Sequence, residues 1–193
     1  MRILHIDSSI QGEASATRAL THDIVVQWRA AHPQARLTYR DLAAEELPHL
    51  SGRSLTRADE LEAARSAAVL EEFLGADVVV IGAPLYNFSI PSQLKAWIDR
   101  ITVAGRTFHY TDKGPVGLAG GKHVIIAVAR GGVYAPGAAS EFGESYLRFL
   151  FGFLGIGTVT FVRAEGLGLS PEQRAAGLRK AHAAIPAPVP LAA

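Results

Sequence analysis

The sequence predicts an α/β fold: a doubly wound, five-stranded parallel sheet of strand order 2-1-3-4-5, with helices on both faces. Three observations carry this. Four short apolar runs, Arg2–Ile6, Asp77–Ala83, His123–Ala129 and Thr158–Val162, are continuous rather than alternating, as in strands covered on both sides. Segments with helical spacing separate them, so strand and helix alternate along the chain. The 193 residues, 49% of them hydrophobic, suffice for one domain with its own core. Right-handed crossovers leave few topologies. In the order 2-1-3-4-5 a ligand binds beyond the carboxyl ends of the strands, at the switch point between the first and third.

The first strand leads to a helix in which Leu20, Ile24 and Trp28 recur every fourth residue until Pro33 ends the pattern. Arg36–Arg40 alternates apolar and polar residues and suits a sheet edge. Thr56-x-x-Asp59 reads as a capping-box start for a helix carrying Leu61, Ala64 and Ala68. Pro91 suits a first helical position, with Leu94, Trp97, Ile98 and Ile101 following at helical spacing. Tyr146, Phe149, Leu150, Phe153 and Leu154 form the next stripe. Leu147 and Phe151 beside it make that helix apolar nearly all round, as at a deep core or an interface. Trp97 lies beyond the expected core face of its own helix. Ser170-Pro171-Glu172-Gln173 opens the last helix with a cap, a proline at the first position and a capping-box glutamine. Residues 1–185 are expected to form the single domain. The end, 186–193, is a Pro/Ala-rich tail whose prolines at 186, 188 and 190 bar a helix.

Composition excludes several functions. The 19 Lys+Arg and 18 Asp+Glu give a net charge of +1, which supports neither phosphate-driven nucleic-acid binding nor electrostatic attachment to a membrane. With no cysteine there is no disulfide, thiolate metal site or cysteine nucleophile, and a cytoplasmic location is expected. No run approaches the roughly 18 apolar residues of a membrane span. The seven histidines form no H-E-x-x-H and no ligand cluster, so no metal is expected. Gly121-Lys122 lacks the other residues of a phosphate-binding P-loop and precedes a strand instead of following one.

Chemistry is therefore expected in the loops after the first, third and fourth strands of the sheet. The first, Asp7–Thr17, has no G-x-G-x-x-G. It offers Ser8, Ser9, Ser15 and Thr17 and runs into a helix N-terminus, which suits a terminal monophosphate. The plain alternative is that Ser15 or Thr17 merely caps the helix. The second loop, Pro84-Leu85-Tyr86-Asn87-Phe88, brackets one amide with apolar walls, which suits a flat heterocycle; the plain alternative is a packed loop in which Asn87 holds a turn. The third, Ala129-Arg130-Gly131-Gly132, lets backbone approach a ligand and adds a positive charge. Either the Arg130 side chain or the loop N–H groups could favour negative charge on a reduced ring; the plain alternative is a glycine turn with a solvated arginine. Phosphate at one loop and ring at the other two describe flavin mononucleotide, FMN.

Pro84–Asp99, Ala104-Gly-Arg-Thr-Phe-His-Tyr110, Gly114-Pro-Val-Gly-Leu118 and Arg130-Gly-Gly132 carry a resemblance that covers nearly the whole chain. With Ser8-Ser9-Ile10 and Ala164-Glu165-Gly166, the sequence resembles the FMN-dependent NADH-azoreductases, also called FMN-dependent NADH:quinone oxidoreductases, of the flavodoxin-like superfamily. The resemblance implies that Ser9 and Ser15, Ala16 and Thr17 hold the phosphate side of a tightly, non-covalently bound FMN. It implies that Pro84, Leu85, Tyr86, Asn87 and Phe88 line the ring together with Ala129, Arg130, Gly131 and Gly132. Tyr134 and Phe108 would flank the substrate. It also implies homodimers with flavin sites near the interface. NADH or NADPH would donate hydride by a ping-pong route to quinones and azo compounds, with no protein group as catalyst, because the flavin carries the hydride. Three departures stand out: Ala129 where the family often has Ser, Tyr134 where it often has His, and a shorter stretch between Asp41 and Leu61. The alternative function is a non-enzymatic FMN-binding electron carrier or redox sensor, against which the net charge of +1 counts, since a carrier of flavodoxin type usually has a strongly acidic docking surface.

Overall fold

The computed structural model describes residues 1–56, 58–135 and 140–188. In chain order its strands are β1 (Arg2–Asp7), β2 (Arg36–Asp41), β3 (Val78–Pro84), β4 (Phe108–Thr111), β5 (Gly114–Gly117), β6 (His123–Ala129) and β7 (Thr158–Ala164). The helices are α1 (Ala16–Ala31), α2 (Gly52–Leu55), α3 (Glu60–Gly75), α4 (Ser92–Ile101), α5 (Gly143–Phe153) and α6 (Pro171–Ala183). Five strands form one parallel sheet of order β2-β1-β3-β6-β7, the predicted 2-1-3-4-5.

Successive residues of the sheet alternate between two cores, because side chains on a strand point to opposite faces. Ile3, Val78, Val80 and Ile125 pack with Leu20, Ile24 and Trp28 of α1 and Ala181 of α6. Leu4, Ile6, Val79, Ile81, Val124 and Ile126 pack on the other side with Phe73 of α3, Trp97 of α4 and Phe151 of α5. All seven residues of β3 are buried, which is why its run reads as unbroken. β2, at the edge, is largely exposed and alternates.

Some sequence expectations need correction. Thr56 does not open α3. Asp59 does, its carboxylate accepting from Glu62 N, while Thr56 closes the short helix α2. An N-cap needs only an acceptor and extended backbone, and Asp59 is one residue from the first turn. Pro91 is the residue before α4 and Ser92 the first helical one. Trp97 is fully buried, edge-on to Phe73, and faces no surface. The core face of α5 is Leu147, Leu150, Phe151 and Leu154. Phe149, assigned to the stripe, is 74% exposed. Both faces of that helix are apolar, so spacing alone could not orient it. The β4–β5 hairpin, an antiparallel pair of four-residue strands, follows α4 where no strand was expected. Of the tail, 189–193 lie outside the described residues.

No helix among the described residues is long and apolar enough to cross a membrane, and among them no cluster of three or more His, Asp or Glu could hold a metal.

Candidate functional site

The strand order brings the three predicted loops side by side. β1 lies next to β3, and β3 next to β6, with Asp7 opposite Gly82 and Pro84 opposite Ala129 at the carboxyl ends. The close approach has a requirement: a Cβ on Gly82 would lie 2.8 Å from Asp7 Oδ1 and 3.4 Å from Thr17. Glycine lets the buried Asp7 carboxylate lie against β3, where it accepts from Thr21 Oγ1 at 2.9 Å and Tyr39 OH at 3.2 Å. Ser8 Oγ donates to Gly82 O at 2.6 Å.

The first loop turns through a single 3₁₀ turn at Gly12–Ala14 into α1. Ser15 caps α1, its Oγ accepting from Arg18 N at 3.3 Å and lying 3.0 Å from Thr17 Oγ1. The capping alternative is therefore real for Ser15, and it leaves Ala16 and Thr17 at the first two helical positions, where N–H groups have no carbonyl a turn behind them. Ser9, Ser15, Ala16 and Thr17 are all buried. Thr17 packs toward Gly82 beside its contact with Ser15.

The second loop is tied to both neighbours. Leu85 N donates to Ala129 O at 2.9 Å, continuing the β3–β6 ladder past the strand end. Tyr86 OH lies 3.2 Å from Ser9 Oγ and accepts from Ile10 N at 3.3 Å, joining the second loop to the first. Tyr86 and Ser89 exchange backbone bonds of 2.9 and 3.0 Å around Asn87 and Phe88, whose φ values are 47° and 72°. Two positive φ values in a two-residue hairpin make a type I′ turn. Asn tolerates that conformation; Phe does so at a cost of about 1–2 kcal/mol. Phe88 is nonetheless held there, its carbonyl accepting from Phe142 N at 3.1 Å, with the ring 56% exposed.

The third loop opens with Arg130. Its side chain is 5% exposed and turned away from solvent, 3.0 Å from Glu144, 3.2 Å from Glu165 and 3.3 Å from Glu141. Its charge is thus spent within the protein. Glu144 also accepts from Arg148 at 3.0 Å and from Arg163 Nε at 2.8 Å. Burial opposes ionisation of Glu144, yet the hydrogen bonds from Arg163 and Arg148 and the charge of Arg130 hold its carboxyl below the ordinary range. What the loop presents is backbone: a Cβ on Gly131 would meet nothing within 4 Å. Arg130 N donates to Ala164 O, and the Arg130, Gly131 and Gly132 carbonyls accept from Leu167, Gly168 and Gly166.

Tyr134 lies over this loop, near Gly132 and with the Arg130 guanidinium 5.6 Å from its ring. Phe108 is placed otherwise. It is buried in the hairpin, its ring against Phe153 at 4.7 Å and Tyr110 at 5.5 Å. Glu141 and Glu144, and Arg18 and Asp41 beside the first loop, escape sequence reading because they form no spaced motif; only the fold unites them. Glu165 lies within a quoted motif, without an assigned role.

Fold and loops define a doubly wound α/β protein with a candidate ligand site at the β1/β3 switch point. A flavodoxin-like-fold family model matches residues 1–187. The chain is 57% identical over 185 residues to an FMN-dependent NADH:quinone oxidoreductase of Xanthomonas oryzae pv. oryzae, covering 96% of this chain and 95% of the relative. It is 54% identical to one of Ralstonia nicotianae, with the same coverage. Two solved structures share its fold. An azoreductase from Bacillus anthracis superposes with a TM-score of 0.82 at 33% identity, covering 96% of this chain and 99% of that one. An FMN-dependent NADH-azoreductase from the same species, in complex with FMN, gives 0.84 at 26% identity, with coverage of 96% and 98%. The chain belongs to the family of FMN-dependent NADH:quinone oxidoreductases and azoreductases.

Removing Arg130 should be costly because three partly buried carboxylates would lose their common partner. Arg130→Met is expected to lower unfolding free energy by about 3–5 kcal/mol. Arg148→Met, which removes a 56% exposed partner of the same Glu144, should change it by under about 1 kcal/mol. Urea unfolding of both variants checks this; equal losses would contradict the account.

Proposed function

We propose that this protein holds FMN, tightly and without a covalent bond, across the three loops. It would oxidise NADH or NADPH and reduce quinones and azo compounds in a ping-pong sequence, acting as a homodimer. The observation that carries the reading is the adjacency of a hydroxyl-rich helix entrance, a strained aromatic turn and an open glycine backbone at one switch point. The donor set fits the group. Buried Ser9 and Ser15 and the first turn of α1 suit a dianionic monophosphate, since such donors gain most from a charged acceptor. Leu85, Tyr86, Asn87 and Phe88 suit one side of a flat ring, and Gly131-Gly132 allows close backbone approach to its edge. When bound, FMN supplies the redox chemistry, exchanging hydride with the nicotinamide and the acceptor.

The residues contribute position and environment. The type I′ turn fixes Asn87 where its amide can read ring polar atoms. Phe88 offers an apolar face against which a flat donor or acceptor can stack. Backbone N–H groups of Gly131 and Gly132 can stabilise negative charge on the ring edge without a side-chain cation, Arg130 being committed elsewhere. Tyr134 lies over the third loop beside Gly132 and is positioned to influence which acceptor enters. The cysteine-free composition suits a reducing compartment such as the cytoplasm. Residues 1–185 would form the catalytic domain, with 186–193 outside it.

A dimer is supported by an exposed apolar surface. Phe149, Phe153, Phe108 and Tyr110 form a chain of ring contacts, with Phe149 and Tyr110 more than 70% exposed. Phe142, also exposed, donates its backbone N–H to the Phe88 carbonyl of the second-loop turn. Such a patch on a soluble domain marks a partner surface.

Purified protein should be yellow and consume NADH when a quinone is added. A colourless preparation that added FMN cannot restore would overturn the reading. Light scattering should give a dimer at micromolar concentration, and Phe149→Glu should shift it toward monomer with loss of quinone reduction. A wild-type monomer of full activity would refute the dimer.

A further inference from the structure

The FMN reading, on which this inference rests, leaves unexplained a charged cluster behind the first loop. Arg18, one turn into α1, does not point to solvent. Its guanidinium forms a two-pronged pair with Asp41 at the end of β2, Nη1 to Oδ2 at 2.7 Å and Nη2 to Oδ1 at 2.8 Å. Nη2 also donates to the Ser9 carbonyl at 2.9 Å, and Nη1 to Tyr39 OH at 3.2 Å. Asp41 is held in turn, Oδ1 accepting from Ala43 N at 3.0 Å. The Arg18 hydrogen bond, outweighing the opposing effect of burial, keeps its carboxyl below the usual range. Burial together with the charges of Asp7 and Asp41 pushes the Tyr39 hydroxyl up to about 12, so it stays a neutral donor and acceptor.

Ser9 is thereby held from opposite sides. Tyr86 of the second loop meets its hydroxyl, and Arg18 holds its carbonyl. The same hydroxyl accepts from Gln11 N at 3.3 Å. The direction of the Ser9 peptide therefore depends on a guanidinium whose plane is fixed by Asp41. Lysine could not do this, because one ammonium cannot present two parallel donors to a carboxylate and a third bond to a carbonyl in fixed geometry.

We propose that Arg18 and Asp41 form a clamp that positions the Ser9 turn for the phosphate of FMN, with Arg18 acting through the loop as a positioning residue and not as a charge attracting the ligand.

Clamp and charge make opposite forecasts. If Arg18 acted as a positive charge near the phosphate, Asp41→Asn would remove a competing negative charge and tighten FMN binding. Arg18→Lys would then leave it unchanged. If Arg18 acts as a clamp, Asp41→Asn keeps the acceptor for Ala43 N but loses the two-pronged pair, and FMN binding weakens. Arg18→Lys weakens it as well.

The experiment titrates the full-length chain, freed of flavin, with FMN and with riboflavin, following flavin fluorescence. Arg18→Lys, Asp41→Asn and the double variant should each bind FMN about 10-fold more weakly or worse, in line with one charge-assisted bond misplaced. The double variant should be little worse than either single one, because both break one unit. Riboflavin, with the same ring and no phosphate, should change less than about 3-fold. Tighter FMN binding by Asp41→Asn, unchanged binding by Arg18→Lys, or equal losses for FMN and riboflavin would each overturn the clamp. If Arg18→Lys fails to fold, Asp41→Asn decides by the sign of its effect. A wild-type chain that binds neither flavin would instead overturn the FMN reading itself.

Discussion

The parallel hydrogen-bond ladder of the sheet does not stop where its strands stop, and the candidate site depends on this. Leu85 N reaches Ala129 O beyond β3, and Arg130 N reaches Ala164 O beyond β6. Leu167, Gly166 and Gly168 then donate back to the third loop. Loops that would ordinarily sample many conformations thus inherit the rigidity of the sheet. Fixing backbone costs about 1–2 kcal/mol per residue. Here that ordering is met by folding, so a ligand need not meet it on binding.

Side-chain commitments follow from the fixed backbone. With Arg130 N and the loop carbonyls engaged, the Arg130 side chain is directed to Glu141, Glu144 and Glu165, anchoring the loop to the start of α5. The Tyr86 hydroxyl crosses to Ser9, so the first and second loops hold each other in register. The unfavourable turn at Asn87 and Phe88 persists because neighbours bond it on three sides: Ala129 before it, Ser89 across it, and Phe142 behind it. Strain of this kind survives only in surroundings that over-determine it.

The strand order and the two cores were legible in the sequence because burial on both faces leaves a simple mark, an unbroken apolar run. The three loops were legible for a related reason: a parallel sheet puts ligands at its carboxyl ends, so where to look was set before what to look for. The family resemblance then supplied roles that spacing could not. Legibility failed where a pattern fits two orientations or where partners are remote in sequence. The α5 helix is apolar on both sides, so spacing does not single out its buried face, and Phe149 lies outward. Spacing sets Trp97 beyond the core face because its helix offers more apolar positions than one face needs, yet the ring is fully buried. The Arg130 cage spans residues 130 to 165, and the Arg18–Asp41 pair joins a helix to an edge strand. Neither leaves a local trace, since only the right-handed winding of the chain brings the partners together.

The central claim is that the ligand loops are ordered before any ligand arrives. Amide hydrogen exchange on the flavin-free protein tests it most directly, read at Leu85, Arg130, Leu167 and Gly168. The account predicts that these N–H groups are protected nearly as well as the adjoining residues of β3 and β6, and that added FMN changes them little. Exchange at the rate of an unstructured chain, slowing only when FMN is added, would mean that the ligand builds the site, and would contradict the account.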